Sequence, residues 1–142
     1  MRTRPMEAHM SDIYEDLLNR HRWVRVMADY SCDGVWDIEG NSCGTEELPI
    51  SPALVERLRR WQAHYEAIED AIEEENQLPR ESDWTNFSAE GLAIARAVKA
   101  ELPGWTVFYF DEARACVVPL DGKRRLRSTF EYEIMLDDES GD

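Results

Sequence analysis

The chain of 142 residues carries 30 Asp and Glu residues against 16 Lys and Arg residues, which gives a formal net charge of −14 at pH 7. This charge argues against a nucleic acid or an anionic membrane as the partner and favours a basic protein partner or simple solvation of the surface. A hydrophobic content of 43% can supply the core of one folded domain. No apolar run approaches the ~20 residues that a membrane span needs.

Cysteine usage and motif content bear on compartment and chemistry. Three cysteines, without the spacing of a disulfide framework or a zinc site, predict a reducing, cytoplasmic compartment. The sequence has no phosphate-binding glycine loop, no nucleophile-elbow pattern and no zinc-protease helix pattern. We therefore expect no cofactor, and we favour a binding protein over an enzyme.

The predicted domain organisation is simple. Residues 1–10 are expected to be a flexible N-terminal extension, in which Met10 offers an alternative start. Residues 11–136 are predicted to form one α+β domain. Residues 137–142 form an acidic tail, which we expect to be frayed.

The first third of the chain predicts one helix, one strand and one loop. Ser11–His21 is predicted to be a short helix that Ser11 or Asp12 can cap. Arg22–Tyr30 is rich in β-branched and aromatic residues, which is typical of a strand. Ser31–Pro49 contains several glycines and is predicted to be a long loop with room for one short turn.

The strongest local pattern predicts a long amphipathic helix. Ser51 and Pro52 suit the cap and the first position of a helix that ends at about Asn76. Its apolar side chains recur at steps of three and four residues and form one stripe: Leu54, Leu58, Trp61, Tyr65, Ile68 and Ile72. A further helix is predicted over Ser88–Leu102, and Pro103 with Gly104 is expected to end it.

The last forty residues predict a sheet. Trp105–Phe110 and Ala113–Leu120 read as strands, and Asp121-Gly122 signals a hairpin turn. Residues 126–136 then alternate, with Glu131 and Glu133 on the face in water. The predicted fold is α+β in the order α-β-α-α-β-β-β, with three helices packed on one face of a small, mostly antiparallel sheet.

The acidic segment is the predicted partner-binding site. From Val26 to Glu56 the chain has seven acidic residues, Glu56 included, and no Lys, Arg or His. Two tryptophans, predicted to lie in acidic loops, are candidate anchors because tryptophan is enriched at binding hot spots, although packing over the core edge is an open alternative. The candidate partner-binding residues are Asp33, Trp36, Asp37, Glu39, Glu46, Glu47 and Trp84.

Two alternative functions stay open at this point. Asp33, Asp37 and Glu39 carry oxygen ligands of the kind that bind Mg²⁺ or Ca²⁺, which would suit a metal-assisted enzyme. Their spacing departs from that of an EF-hand, and we favour a solvated acidic loop as its explanation. A structural homodimer, paired through an exposed sheet face or edge, is the second alternative.

Three stretches of the chain resemble known proteins. The stretches are Asp29–Ser31 (DYS), Leu48–Leu54 (LPISPAL), and Trp61-Gln62 with Tyr65, and they resemble small acidic bacterial proteins of uncharacterised function. The size and acidity of the chain also resemble those of immunity proteins, which neutralise bacterial toxins. The resemblance implies a bacterial, cytoplasmic protein that acts by binding. It transfers no binding residue to this chain.

Overall fold

The computed structural model describes residues 17–29, 31–75, 81–116 and 127–136. The described strands are β1 (Trp23–Val26), β2 (Val35–Trp36), β3 (Ser42–Cys43), β4 (Thr106–Phe110) and β5 (Glu131–Glu133). The described helices are α1 (residues 17–21), α2 (Pro52–Glu75), α3 (Glu81–Glu101) and α4 (Glu112–Cys116), with 3₁₀ turns at Thr45–Glu47 and Arg127–Thr129. None of the helices in these ranges is long and apolar enough to cross a membrane.

The described strands form one mixed sheet of order β3-β2-β1-β4-β5. β1 and β4 pair in parallel, with Val24 opposite Val107, and the other neighbouring strands pair antiparallel. The predicted α+β class is confirmed. The predicted element order is wrong in detail, because the described elements run α-β-β-β-α-α-β-α-β.

Three short elements, β2, β3 and α4, explain the difference between the predicted and the observed order. The predicted loop Ser31–Pro49 contains β2 and β3, which have two residues each and therefore show no readable alternation. The predicted strand Ala113–Leu120 begins instead as α4, because Asp111 caps a helix: its Oδ1 accepts a hydrogen bond from the backbone N–H of Arg114 at 3.2 Å. Residues 117–126, with the predicted hairpin turn, lie outside the described residues.

The long amphipathic helix is confirmed as α2. The Ser51 hydroxyl accepts a hydrogen bond from the N–H of Leu54 at 3.2 Å, as an N-cap does, and the helix begins at Pro52. Ser51 also binds Glu101 through its N–H and its hydroxyl, at 2.7 and 2.8 Å, which ties the start of α2 to the end of α3. The predicted stripe is buried at Leu54, Leu58, Trp61, Tyr65 and Ile68.

The second long helix, α3, begins earlier than predicted. It starts at Glu81 rather than Ser88, and so carries Trp84 and Phe87. Ser88, the first residue of the predicted helix, lies inside α3, and its hydroxyl donates to the Asp111 carboxylate.

The core lies between the sheet and the two long helices. The Trp61 ring stacks on Phe87 with 4.9 Å between centroids, and its indole N–H donates to the Phe87 carbonyl at 3.0 Å. Tyr109 of β4 lies against Trp61 and donates to the Ser88 carbonyl at 2.9 Å. Helices α2 and α3 therefore cover the sheet face that carries Val24, Val107 and Tyr109.

The burial of side chains in β5 differs from the predicted alternation of buried and exposed residues. Glu131 is buried rather than in water, because its carboxylate pairs with Arg25 Nε at 2.7 Å on the sheet face opposite the helices. Arg25 also lies 5.4 Å from the ring centroid of Trp23, which contacts Phe108. Glu133 is exposed, as predicted.

Gly91 of α3 tests this packing. A Cβ at Gly91 would lie 2.5 Å from both Trp61 Cζ2 and the Tyr109 hydroxyl, so we expect Gly91→Ala to lower the free energy of unfolding by about 1–3 kcal/mol through overpacking. Gly104→Ala is the matched control, since nothing lies within 4 Å of its Cβ position. Denaturant unfolding of both variants checks this, and equal stability of the two would contradict the packing described.

Candidate functional site

The acidic segment lies along one side of α2. The buried Gln62 side chain donates to the Asp29 carbonyl, and its Oε1 accepts from the Asp29 N–H at 3.3 Å. One turn further along, Glu66 Oε2 accepts from the N–H of Ser31 at 3.1 Å. The segment is therefore fixed beside the helix by hydrogen bonds to its backbone.

Further along the segment, carboxylates hold the 3₁₀ turn beside α2. Asp33 Oδ2 accepts from the N–H of Thr45, and Glu47 Oε2 accepts from the N–H of Gly44, both at 3.1 Å. Glu46 is exposed and lies 3.5 Å from Arg59 of α2. An exposed ion pair of this kind contributes about 0–1 kcal/mol, so Glu46 can exchange Arg59 for another cation at little cost.

We call the surface formed by Asp29, Asp33, Glu46 and Glu66 the acidic face. Each of these residues contacts α2 or the 3₁₀ turn next to it. All four are at least partly exposed. The predicted residues Asp33 and Glu46 are thus brought together with two carboxylates that were not on the predicted list.

Asp37 has a structural position. Its side chain is buried, and Oδ1 accepts from the N–H groups of Glu39 and Asn41, both at 2.9 Å. The Asn41 side-chain amide donates to both oxygens, at 3.2 and 3.0 Å. The carboxylate therefore shapes the turn between β2 and β3, while Glu39 beside it is exposed.

The metal-ligand hypothesis gains no support from this geometry. Within the described ranges, no group of three or more His, Cys, Asp or Glu side chains is arranged to hold a metal ion. Asp33 and Asp37 direct their oxygens to different backbone N–H groups, at Thr45 and at Glu39 and Asn41.

Neither candidate tryptophan lies in a loop. Trp36 is in β2, opposite Arg25, and its indole N–H donates to the Met27 carbonyl at 2.8 Å. Trp84 is in α3, with its ring edge against Phe87 at 5.9 Å. Both are half-buried. The two tryptophans therefore lie on the sheet and on α3 rather than within the acidic face.

Sequence reasoning missed Gln62 as the residue that joins the acidic segment to α2. The available signal was its place beside the apolar stripe, directly after Trp61. A buried amide needs polar partners, and here the partners are the N–H and carbonyl of Asp29. Only folding shows which backbone segment provides them.

The two described cysteines are protected thiols. Burial, reinforced by the negative charges of Asp37 and Glu47, raises the pKa of Cys43 to about 12. Burial also raises the pKa of Cys32. Because the thiolate is the reactive form, neither thiol is activated as a nucleophile.

This protection predicts slow thiol labelling. At pH 8 we expect Cys43 in the folded chain to react with a thiol reagent at least a hundredfold more slowly than in denaturant, because a pKa raised from 9.0 to about 12 lowers the thiolate fraction by about a thousandfold. Mass spectrometry of labelled peptides measures the two rates. Equal rates in the folded and unfolded chain would show that Cys43 is accessible and ionised, contrary to the structure.

A second prediction concerns the turn between β2 and β3. Asp37→Ala leaves the N–H groups of Glu39 and Asn41 without their acceptor, so we expect the free energy of unfolding to fall by about 1–3 kcal/mol. Glu39→Ala, at an exposed neighbouring position, should change it by less than about 0.5 kcal/mol. Urea unfolding compares the two, and a neutral Asp37→Ala variant would contradict the structural position of this carboxylate.

The comparison with known proteins connects this geometry to a family. A search of curated proteins finds no match to the chain. The family model of the Serratia CdiI immunity protein-like proteins matches residues 22–112. This match is more than half of the chain and includes β1–β4, the acidic segment and both long helices. The chain therefore belongs to the Serratia CdiI immunity protein-like family.

Proposed function

We propose that the chain is a non-enzymatic immunity protein that neutralises a toxin by binding a basic surface of it through the acidic face. CdiI-like immunity proteins bind their cognate CdiA toxin domain, and membership of this family implies neutralisation by binding. These proteins act in the cytoplasm, and we place the binding of this chain in the same compartment.

The observation that carries the proposal is the convergence of Asp29, Asp33, Glu46 and Glu66 beside α2. A cluster of partly exposed carboxylates on a chain of charge −14 attracts a basic protein over distances of about a Debye length. Electrostatic complementarity of this kind mainly raises the association rate and fixes the orientation of the partner. Binding should therefore be fast and should weaken as salt is added.

The anchors of the complex are a separate part of the proposal. Trp36 is half-buried on the sheet face opposite the helices, with its indole N–H held by Met27. Such a side chain loses little conformational freedom on binding, because its position is already fixed. In this proposal Asp37 supports the neighbouring Trp36 and Glu39 through the turn, and the exposed Glu39 reaches the partner.

Charge removal on the acidic face tests the proposal. We expect Asp29→Asn combined with Glu46→Gln to weaken binding to the cognate CdiA toxin domain by about tenfold, mostly through a slower association rate. Both side chains are exposed, so the variant should fold as the unmodified chain does. Surface plasmon resonance at low and high salt measures both rate constants.

The matched control is Glu112→Gln combined with Glu133→Gln, which removes the same charge from α4 and β5. This control should bind nearly as the unmodified chain does. Equal losses in the two double variants would assign the attraction to net charge alone and overturn the role of the acidic face. Absence of any binding by the unmodified chain would overturn the proposed function itself.

A further inference from the structure

A cleft on the other flank of α2 is lined by two arginines. It has a volume of about 460 Å³, and its lining residues are Arg57, Arg60, Trp61, His64 and Glu90. At about 100° per residue, Arg57, Arg60 and His64 fall on one side of the buried stripe of α2. Arg59, Gln62 and Glu66, which bind the acidic segment, fall on the other side. The arginine cleft and the acidic segment therefore lie on opposite flanks of the helix.

The guanidinium groups in the cleft form only weak ion pairs with neighbouring glutamates. Arg57 lies 3.4 Å from Glu90, and Arg60 lies 3.8 Å from Glu56. All four side chains are more than a third exposed, so solvent screening makes each pair a weak contact. An incoming carboxylate can replace such contacts at little cost.

The floor and walls of the cleft are rigid. Trp61 is 2% exposed and is fixed by its stack on Phe87 and its hydrogen bond to the Phe87 carbonyl. His64 lies with its ring at 5.6 Å from the same Phe87 ring. A preformed concavity of this size, with a few convergent polar groups, is typical of sites that bind a side chain or a small ligand.

The charges identify the chemistry of the occupant. Arginine side chains bind carboxylates through two parallel N–H donors, which gives both strength and geometry. A nucleic acid is disfavoured, since its many phosphates would meet the field of a chain with net charge −14. A single carboxylate on an otherwise basic protein meets the local arginines with little of that penalty.

We propose that this cleft receives a carboxylate side chain of the same toxin domain that the acidic face binds. The inference rests on the proposed function and adds a second, oppositely charged contact to it. A partner that contacts both flanks of α2 must carry a basic group for the acidic face and a carboxylate for the cleft, at a fixed separation. The two contacts together therefore set the orientation of the toxin and distinguish it from other basic proteins.

The test uses the fact that removing the arginines should change binding in opposite directions through net charge and through the cleft contact. Arg57→Gln combined with Arg60→Gln makes the chain more negative, so attraction by net charge alone would tighten binding to a basic toxin. The cleft predicts the reverse: the complex should dissociate about tenfold faster, the effect of losing about 1.4 kcal/mol of contact energy. Arg20→Gln combined with Arg96→Gln removes the same charge from exposed positions of α1 and α3 and is the control.

A second arm needs no toxin. A capped pentapeptide with one glutamate among glycines, which presents a single carboxylate, is titrated into the ¹⁵N-labelled chain. The Nε–H signals of Arg57 and Arg60 and the indole N–H signal of Trp61 are followed by NMR. We expect these signals to shift, and we expect no shift of the Trp61 signal in the Arg57→Gln, Arg60→Gln variant. Absence of shifts in the unmodified chain would overturn the inference, as would equal shifts with a short single-stranded DNA.

The two arms separate the possible failures. If the unmodified chain does not bind the toxin but the peptide shifts the cleft signals, the proposed function fails and the carboxylate site stands without its assigned partner. If the toxin binds and the cleft variant dissociates no faster than the control, the cleft is not part of the interface and the inference is wrong.

Discussion

The parallel pairing of β1 with β4 is the constraint on which the rest of the fold depends. Parallel neighbours cannot be joined by a tight hairpin, so the chain between them must cross over the sheet. β2, β3, α2 and α3 all belong to this connection. The two helices cover one sheet face, and Trp61 locks them together through Phe87 and Tyr109. Gly91 permits the close approach that this contact requires.

The same constraint creates the two surfaces that we propose for binding. With its apolar stripe buried on the sheet, α2 exposes two flanks, and the preceding segment is held against one of them by Gln62 and Glu66. That flank becomes acidic because the segment contains no cation between Val26 and Arg57. The other flank faces the start of α3 and carries the arginine cleft. Fold and charge pattern thus come from one element, the helix at the centre of the crossover.

Elements that depend on neighbouring residues could be predicted from the sequence. Contacts between residues far apart in the chain could not. α2 was predictable because its cap and its stripe are local patterns, and β4 because its aromatic residues lie together. The burial of Glu131 was hidden, since Arg25 lies 106 positions away in the chain. The acidic segment was found from charge alone, but the burial of Asp37 depends on a turn that only folding defines. The strand predicted over Ala113–Leu120 begins as helix α4, because Asp111 caps the backbone at Arg114.

Carboxyl footprinting of the complex with the CdiA toxin domain tests the central claim most directly. A carbodiimide-activated amine labels exposed carboxylates, and mass spectrometry reports the labelled fraction at each position. The account predicts that Asp29 and Glu46 lose labelling on complex formation while Glu112 and Glu133 keep it. Loss of labelling at Glu112 and Glu133, with Asp29 and Glu46 unchanged, would place the toxin on another surface and contradict the account.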